Sequence, residues 1–259
     1  MPFPNHPDKY QSQSVMQPAD VIAMHKRLGR FPKIDLPEGL VICLKNDLPR
    51  RLRWKIPGRK VKGVLGDMLL IKRARGRVGV LSNFGIGAPV VVSLAEEMIA
   101  FGVKRFVILS WGGALQKNLR SGDIILNDSA IRDEGVSHHY LPSEKYVFAS
   151  SVLKQKLEYK LNSINIKFTS GTTWTTDAPY RETKDEILHY QSEGVQVVEM
   201  EVAGLLALAQ ARNAQAASII IVSDYLANLT WQPPIDMKAI DLSFEIAYNT
   251  AIDVLNEEI

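Results

Sequence analysis

The stretch "VQVVEMEVAGLLALAQARNAQAASIIIVSDYL", residues 195–226, alternates two hydrophobic periods within thirty-two positions. "VQVVEM" (195–200) reads as a strand rich in branched residues. "EVAGLLALAQARN" (201–213) places Val202, Leu205, Leu206 and Ala209 at i, i+3, i+4 and i+7, the apolar stripe of a helix. "ASIIIVS" (217–223) is apolar at nearly every position, as in a strand covered on both faces. That strand stops at Ser223 and Asp224. An acid there can cap a helix or face solvent, or it can stand where a ligand binds.

The same alternation extends in both directions. Strands are predicted at 39–44, 61–66, 68–73, 77–83, 105–110, 122–128 and 166–171, each rich in branched residues and most bounded by glycine. Helices are predicted at 88–102, Ser150–Ser163, Glu182–Glu193 and Met237–Glu257; Pro89 opens the first and Gly102 closes it. Strands alternating with helices imply a single α/β domain with a largely parallel sheet flanked by helices. Consecutive strands near 61–83 and 122–132 make that sheet mixed and partly closed. Residues 1–38, polar and aperiodic apart from a short helix near Ala19–Leu28, form an N-terminal extension. Residues 39–259 form the domain.

Composition narrows the function. A hydrophobic fraction of 46% fills a sizeable core, and a net charge of +3 gives no global case for nucleic acid. Cys43 is the single cysteine, so no internal disulfide forms; Met1–Ala23 lacks an apolar signal segment, and no apolar run is long enough for a membrane span. The expectation is a cytoplasmic protein with no membrane partner. Between Lys45 and Arg77 stand twelve Lys or Arg against Asp47 and Asp67, which is either a solvated basic face or a site for an anion such as phosphate.

In a sheet of this kind ligands bind beyond the carboxyl ends of the strands. The polar residues expected there include Ser110, Glu199, Glu201, Ser223 and Asp224. Glu201 and Asp224 leave neighbouring core elements, with Met200 and Trp174 available as apolar walls. One carboxylate could hold a diol through two hydrogen bonds, and the other could act as a general acid. With a flat aromatic such as Trp174, this describes a pocket for a nucleoside. "NFGIGAP" (83–89) has Gly85 and Gly87 in the spacing of a dinucleotide fingerprint, but Val90 replaces the third glycine and the acid about twenty residues on is missing. His138 and His139 are adjacent, lack metal-ligand spacing, and fit a surface loop or a contact with ligand or subunit. No metal or organic cofactor is indicated.

With these residues in view, the chain resembles the nucleoside phosphorylase superfamily of uridine phosphorylase, hexameric purine nucleoside phosphorylase and methylthioadenosine nucleosidase. "GIGAPVVVSLAEEM", "WGGALQKNLRSGDIIL" followed by "DEGVSHHY", "VVEMEVAGLLALA" and "IVSDYL" carry the likeness in order, within about Gly39 to Leu255. The resemblance implies a nucleoside phosphorylase-like α/β fold, cleavage of an N-glycosidic bond, and a homo-oligomer, either a dimer or a hexamer. It makes Glu201 the ligand of the ribose hydroxyls and Met200 a wall against the sugar. It makes Asp224 the acid at a purine N7, with Ser223 beside it and Trp174 against the base. Gly87, Gly113 and Glu199 complete the implied substrate-binding set.

The sequence also departs from the family. Ile108 and Trp111 stand where phosphorylases carry an arginine and a serine or threonine, and Val90 where a serine is usual. The N-terminal phosphate loop is represented by "LKNDLPRR" (44–51), which leaves Arg50 or Arg51 as phosphate ligands. The arginine that assists the acid has no clear match in "ANLTWQPPIDMK". Three accounts follow: a phosphorylase with inorganic phosphate as co-substrate, a nucleosidase using water, or a nucleoside-binding module with weak catalysis. Keeping both Glu201 and Asp224 favours glycosidic cleavage, with phosphorolysis the family default.

Overall fold

A computed structural model of the chain describes residue 6 and residues 9–29, 36–61 and 65–257. In chain order the elements are α1 (Pro18–Arg27), β1 (Gly39–Cys43), α2 (Leu48–Arg51), β2 (Gly58–Val61), β3 (Asp67–Ile71), β4 (Val78–Ser82), α3 (Ala88–Ala100), β5 (Arg105–Ala114) and β6 (Ile124–Asp133). They continue with β7 (Tyr146–Phe148), α4 (Ser151–Ser163), β8 (Thr169–Thr176), α5 (Lys184–Ser192), β9 (Val197–Glu199), α6 (Val202–Ala211), β10 (Gln215–Tyr225) and α7 (Met237–Asn256).

The strands form one mixed sheet that closes on itself at one end. β2, β3 and β4 pair antiparallel in turn, whereas β4, β1 and β5 run parallel. β10 lies parallel along β5, from Gln215 beside Arg105 to Tyr225 beside Ala114. β9 pairs antiparallel with β5 at Gly113 and Ala114, β8 lies parallel to β9, and β6 parallel to β8. β6 then returns antiparallel to β10, with Ile219 opposite Leu126. β5, β10, β6, β8 and β9 therefore make a closed ring, β1, β4, β3 and β2 extend from β5 as an open wing, and β7 pairs antiparallel with β6.

Side-chain alternation along each strand builds a core on either side of the sheet. On β1, Leu40 and Ile42 pack with α3 and α6 residues such as Val91 and Leu205, while Val41 and Cys43 face Phe244 and Tyr248 of α7. α6 is buried along its whole length from Val202 to Ala209, not on one stripe, because it is enclosed between the ring and α3. Such a helix is held by packing, since its sequence offers no polar face to solvent.

Several predicted boundaries shift. β8 begins at Thr169 and takes in "TTWTT" (172–176), which the sequence places beyond the end of a 166–171 strand. Threonine suits a pleated surface, and this run of it is strand-forming. β5 continues through "WGGA" to Ala114, where Gly112 leaves room for a close neighbour: a Cβ there would lie 2.6 Å from Cγ2 of Ile220. β2 precedes the predicted 61–66 strand, of which residues 62–64 lie outside the described residues. The carboxyl ends of β5, β9 and β10 now meet at one place.

Candidate active site

That place is a cavity of about 240 Å³. Its wall includes Ser110, Gly112 and Gly113 of β5, Glu199, Met200 and Glu201 at the β9–α6 junction, and Ser223 and Asp224 of β10. Glu201 and Asp224 thus open onto the same space. Leu44, Ile86 and Trp111 are apolar members, and Glu182, Val198 and Leu226 complete the wall.

Glu201 is only 3% exposed. Its Oε1 accepts the Gly87 backbone N–H at 2.8 Å, and its Oε2 accepts the Ser110 hydroxyl at 3.1 Å. Burial pushes the Glu201 carboxyl above the ordinary carboxylate range, and the Gly87 and Ser110 donors offset part of that shift. Gly87 holds this position because its φ of 94° suits glycine, and it brings the amino end of α3 to the carboxylate. The Met200 backbone N–H is a further donor to this carboxyl.

Glu199 is the anchor of α6. Its Oε2 accepts the backbone N–H groups of Glu201 at 2.7 Å and Val202 at 2.8 Å, two donors that the first turn of a helix leaves unpaired. Its Oε1 accepts from the hydroxyls of Thr173, at 3.3 Å, and Thr175. Burial, and next the repulsion of Glu201, push its carboxyl up. Glu199 borders the cavity, but its hydrogen bonds are spent on holding Glu201 in place.

Asp224 is held on both oxygens. Ser223 Oγ donates to Oδ1 at 2.5 Å, and Trp231 Nε1 donates to Oδ2 at 2.8 Å. Trp231 reaches it because the backbones of Tyr225 and Gln232 exchange two hydrogen bonds, at 3.0 and 2.9 Å, and fold the intervening loop back. Sequence reasoning sought an arginine in this loop and passed over the indole. It also missed Glu182. That residue directly precedes the Thr183–Glu186 capping box of α5, in which Thr183 Oγ1 accepts the Glu186 N–H and the Glu186 carboxylate accepts the Thr183 N–H. The TxxE pattern was the available signal, because it fixes the helix start and hence where the preceding side chain can point.

Four expected site residues lie elsewhere. Trp174 does not line the cavity: it is 1% exposed, its Nε1 donates to Asp133 Oδ2 at 2.9 Å, and its ring packs on Tyr190 with centroids 4.8 Å apart. It became a core residue when β8 lengthened. Gly87 spends its N–H on Glu201 and does not border the cavity. Arg51 pairs with Asp241 at 2.7 Å and Asp47 at 3.2 Å, and Arg50 borders a separate polar groove with Arg53, Lys60 and Asn83. Lys45 is buried between Asp47 and Asp241, with its ammonium 5.0 Å from the Trp111 ring centroid. No Lys, Arg or His stands among the described residues of the cavity wall. His139 faces Lys9 instead, its Nδ1 2.9 Å from the ammonium. Among the described residues no group of three or more His, Cys, Asp or Glu could hold a metal ion, and no helix is long and apolar enough to cross a membrane.

A closed ring with an open wing, and an acid-lined cavity at its strand ends, define an α/β fold shared with solved structures. Uridine phosphorylase of Vibrio fischeri superposes with a TM-score of 0.73 at 22% identity, over 85% of this chain and 92% of that one. Residues 48–255 match the family described as "Phosphorylase superfamily", and the chain belongs to it. Among curated relatives, the DeoD-type purine nucleoside phosphorylase of Bacillus cytotoxicus is 29% identical over 168 residues, 64% of this chain and 70% of that protein. An uncharacterized protein of Acanthamoeba polyphaga mimivirus is 28% identical over 141 residues, and the chain spans about half of its length (54%).

Proposed function

We propose that the protein cleaves the N-glycosidic bond of a purine nucleoside by phosphorolysis, releasing the free base and ribose 1-phosphate. The observation that carries this reading is the opening of Glu201 and Asp224 onto one cavity. Glu201 accepts the hydroxyls of the ribose, with Met200 against the sugar. As the bond from C1′ to N9 breaks, its electron pair passes to the base, and the ring develops oxocarbenium character. The buried carboxylate on the diol stabilises that positive charge. A proton delivered to N7 at the Asp224 end neutralises the departing base. Phosphate oxygen then bonds to C1′, and the proton that phosphate gives up restores the acid. Membership of the phosphorylase superfamily supports phosphate as the nucleophile.

A second reading is hydrolysis, in which water takes the place of phosphate and free ribose is released. It is favoured by Leu44, Ile86 and Trp111 of the cavity wall, where an anion would shed its hydration against apolar surface. The test is to incubate the purified chain with a panel of nucleosides, with and without inorganic phosphate, and identify the sugar. Phosphate-dependent base release with ribose 1-phosphate is expected. Free ribose in both conditions selects hydrolysis, and no release of base from any nucleoside overturns both readings.

A further inference from the structure

Glu182 and Asp224 border the same cavity, one from the β8–α5 connection and one from β10, and the Asp224 charge reaches Glu182. Both oxygens of Asp224 face donors, the Ser223 hydroxyl and the Trp231 indole, and an indole N–H can only donate. Asp224 is therefore arranged as an acceptor. Glu182 stands in the opposite situation. It is partly buried, and the charges that reach it are the acids Asp224 and, on α5, Glu186. Burial, with those neighbours, pushes its carboxyl up to about 7. Two carboxyl groups at one site divide into a charged member and a protonated one, because like charges at close range resist joint ionisation.

We propose that Glu182 and Asp224 are a base-reading pair that holds one proton on Glu182 and thereby selects a 6-aminopurine over a 6-oxopurine. The inference rests on the purine nucleoside reading above and names the base. A pair of this kind presents one donor and one acceptor. The N7 edge of adenine presents the complement, an acceptor at N7 beside an amino donor at C6. A 6-oxopurine presents two acceptors there, N7 and O6, so its oxygen would face the acceptor Asp224 with nothing to share. The same proton sits beside N7, where the departing base needs it. Glu182 is placed to contact the substrate directly, and its position is set by the capping box that starts α5 one residue later.

The test uses free bases, because their binding requires no turnover. Adenine and hypoxanthine are titrated by calorimetry into the full chain, its Glu182→Ala variant and its Glu182→Gln variant across neutral pH. In the wild type, adenine is expected to bind at least about tenfold more tightly than hypoxanthine. Its affinity falls as pH rises through the Glu182 titration, because the protonated form is the donor. Glu182→Ala loses the preference. Glu182→Gln keeps it, since the amide N–H₂ still donates, but loses the pH step that belongs to Glu182. Glu199, Glu201 and Asp224 also border the cavity and Glu186 acts on Glu182 from α5; all four are present in both the wild type and Glu182→Gln, so the difference between those two isolates Glu182. Equal or reversed preference in the wild type, no binding of either base, tight binding of uracil in place of adenine, or an unaltered preference in a folded Glu182→Ala protein overturns the proposal. Failure to cleave nucleosides would remove the catalytic reading while leaving this binding result to stand or fall by itself.

Discussion

The indole N–H of Trp231 lies 2.8 Å from Oδ2 of Asp224. An indole supplies a directed donor without a charge. The Ser223 hydroxyl holds the other oxygen, so the plane of the carboxyl is fixed before substrate arrives.

Trp231→Phe keeps the ring and removes the donor. Steady-state kinetics are expected to show kcat reduced about ten- to a hundredfold, the worth of a hydrogen bond to a charged group, with a smaller change in KM. Asp224→Asn puts an amide N–H₂ where the pair with Glu182 needs an acceptor, and kcat/KM for an adenine nucleoside should fall further than in Trp231→Phe. Wild-type turnover in Trp231→Phe would show that the indole does not position Asp224.

Glu201→Ala removes the carboxylate expected on the ribose diol. The ratio of kcat/KM for a riboside to that for its 2′-deoxyriboside should fall about tenfold, because the deoxyriboside has one hydroxyl fewer to lose. Matching losses on the two sugars would place Glu201 away from the 2′-hydroxyl and leave it a structural partner of Gly87 and Ser110.

Gly112→Ala tests the close approach of strands beneath the cavity. The added methyl would lie 2.6 Å from Cγ2 of Ile220 and 3.1 Å from Cβ of Val197, both buried, so the ring must open or the side chains must shift. Chemical denaturation is expected to show a loss of about 1–3 kcal/mol. An unchanged midpoint would mean that β5 and β10 have slack at this point.

Much of the molecule is legible before folding is considered. The alternation of apolar strands and helices from Gly39 onward reads directly because each buried strand must be apolar on both faces. Glu201 and Asp224 stand out as a pair: either acid alone could cap a helix or face solvent, but two that leave neighbouring core elements can converge on one site. The mixed, partly closed sheet also follows from runs of consecutive strands. Trp174 shows the limit. In the sequence it looks like a free aromatic beyond a strand, yet the threonines around it extend β8 and turn the indole into the core against Tyr190. Arg50 and Arg51 show another: a basic run does not reveal that Arg51 and Lys45 are already paired with Asp47 and Asp241.

The sequence by itself determined the α/β class, the two acids and the elements that carry them, because hydrophobic period and strand ends are local properties. Only the tertiary structure decided what surrounds those acids. Glu199 braces Glu201, Trp231 aims Asp224, and Glu182 arrives beside it from the β8–α5 connection. These relations join residues from separate strands and loops, and their energy depends on distance and burial that closure of the β5–β10–β6–β8–β9 ring creates.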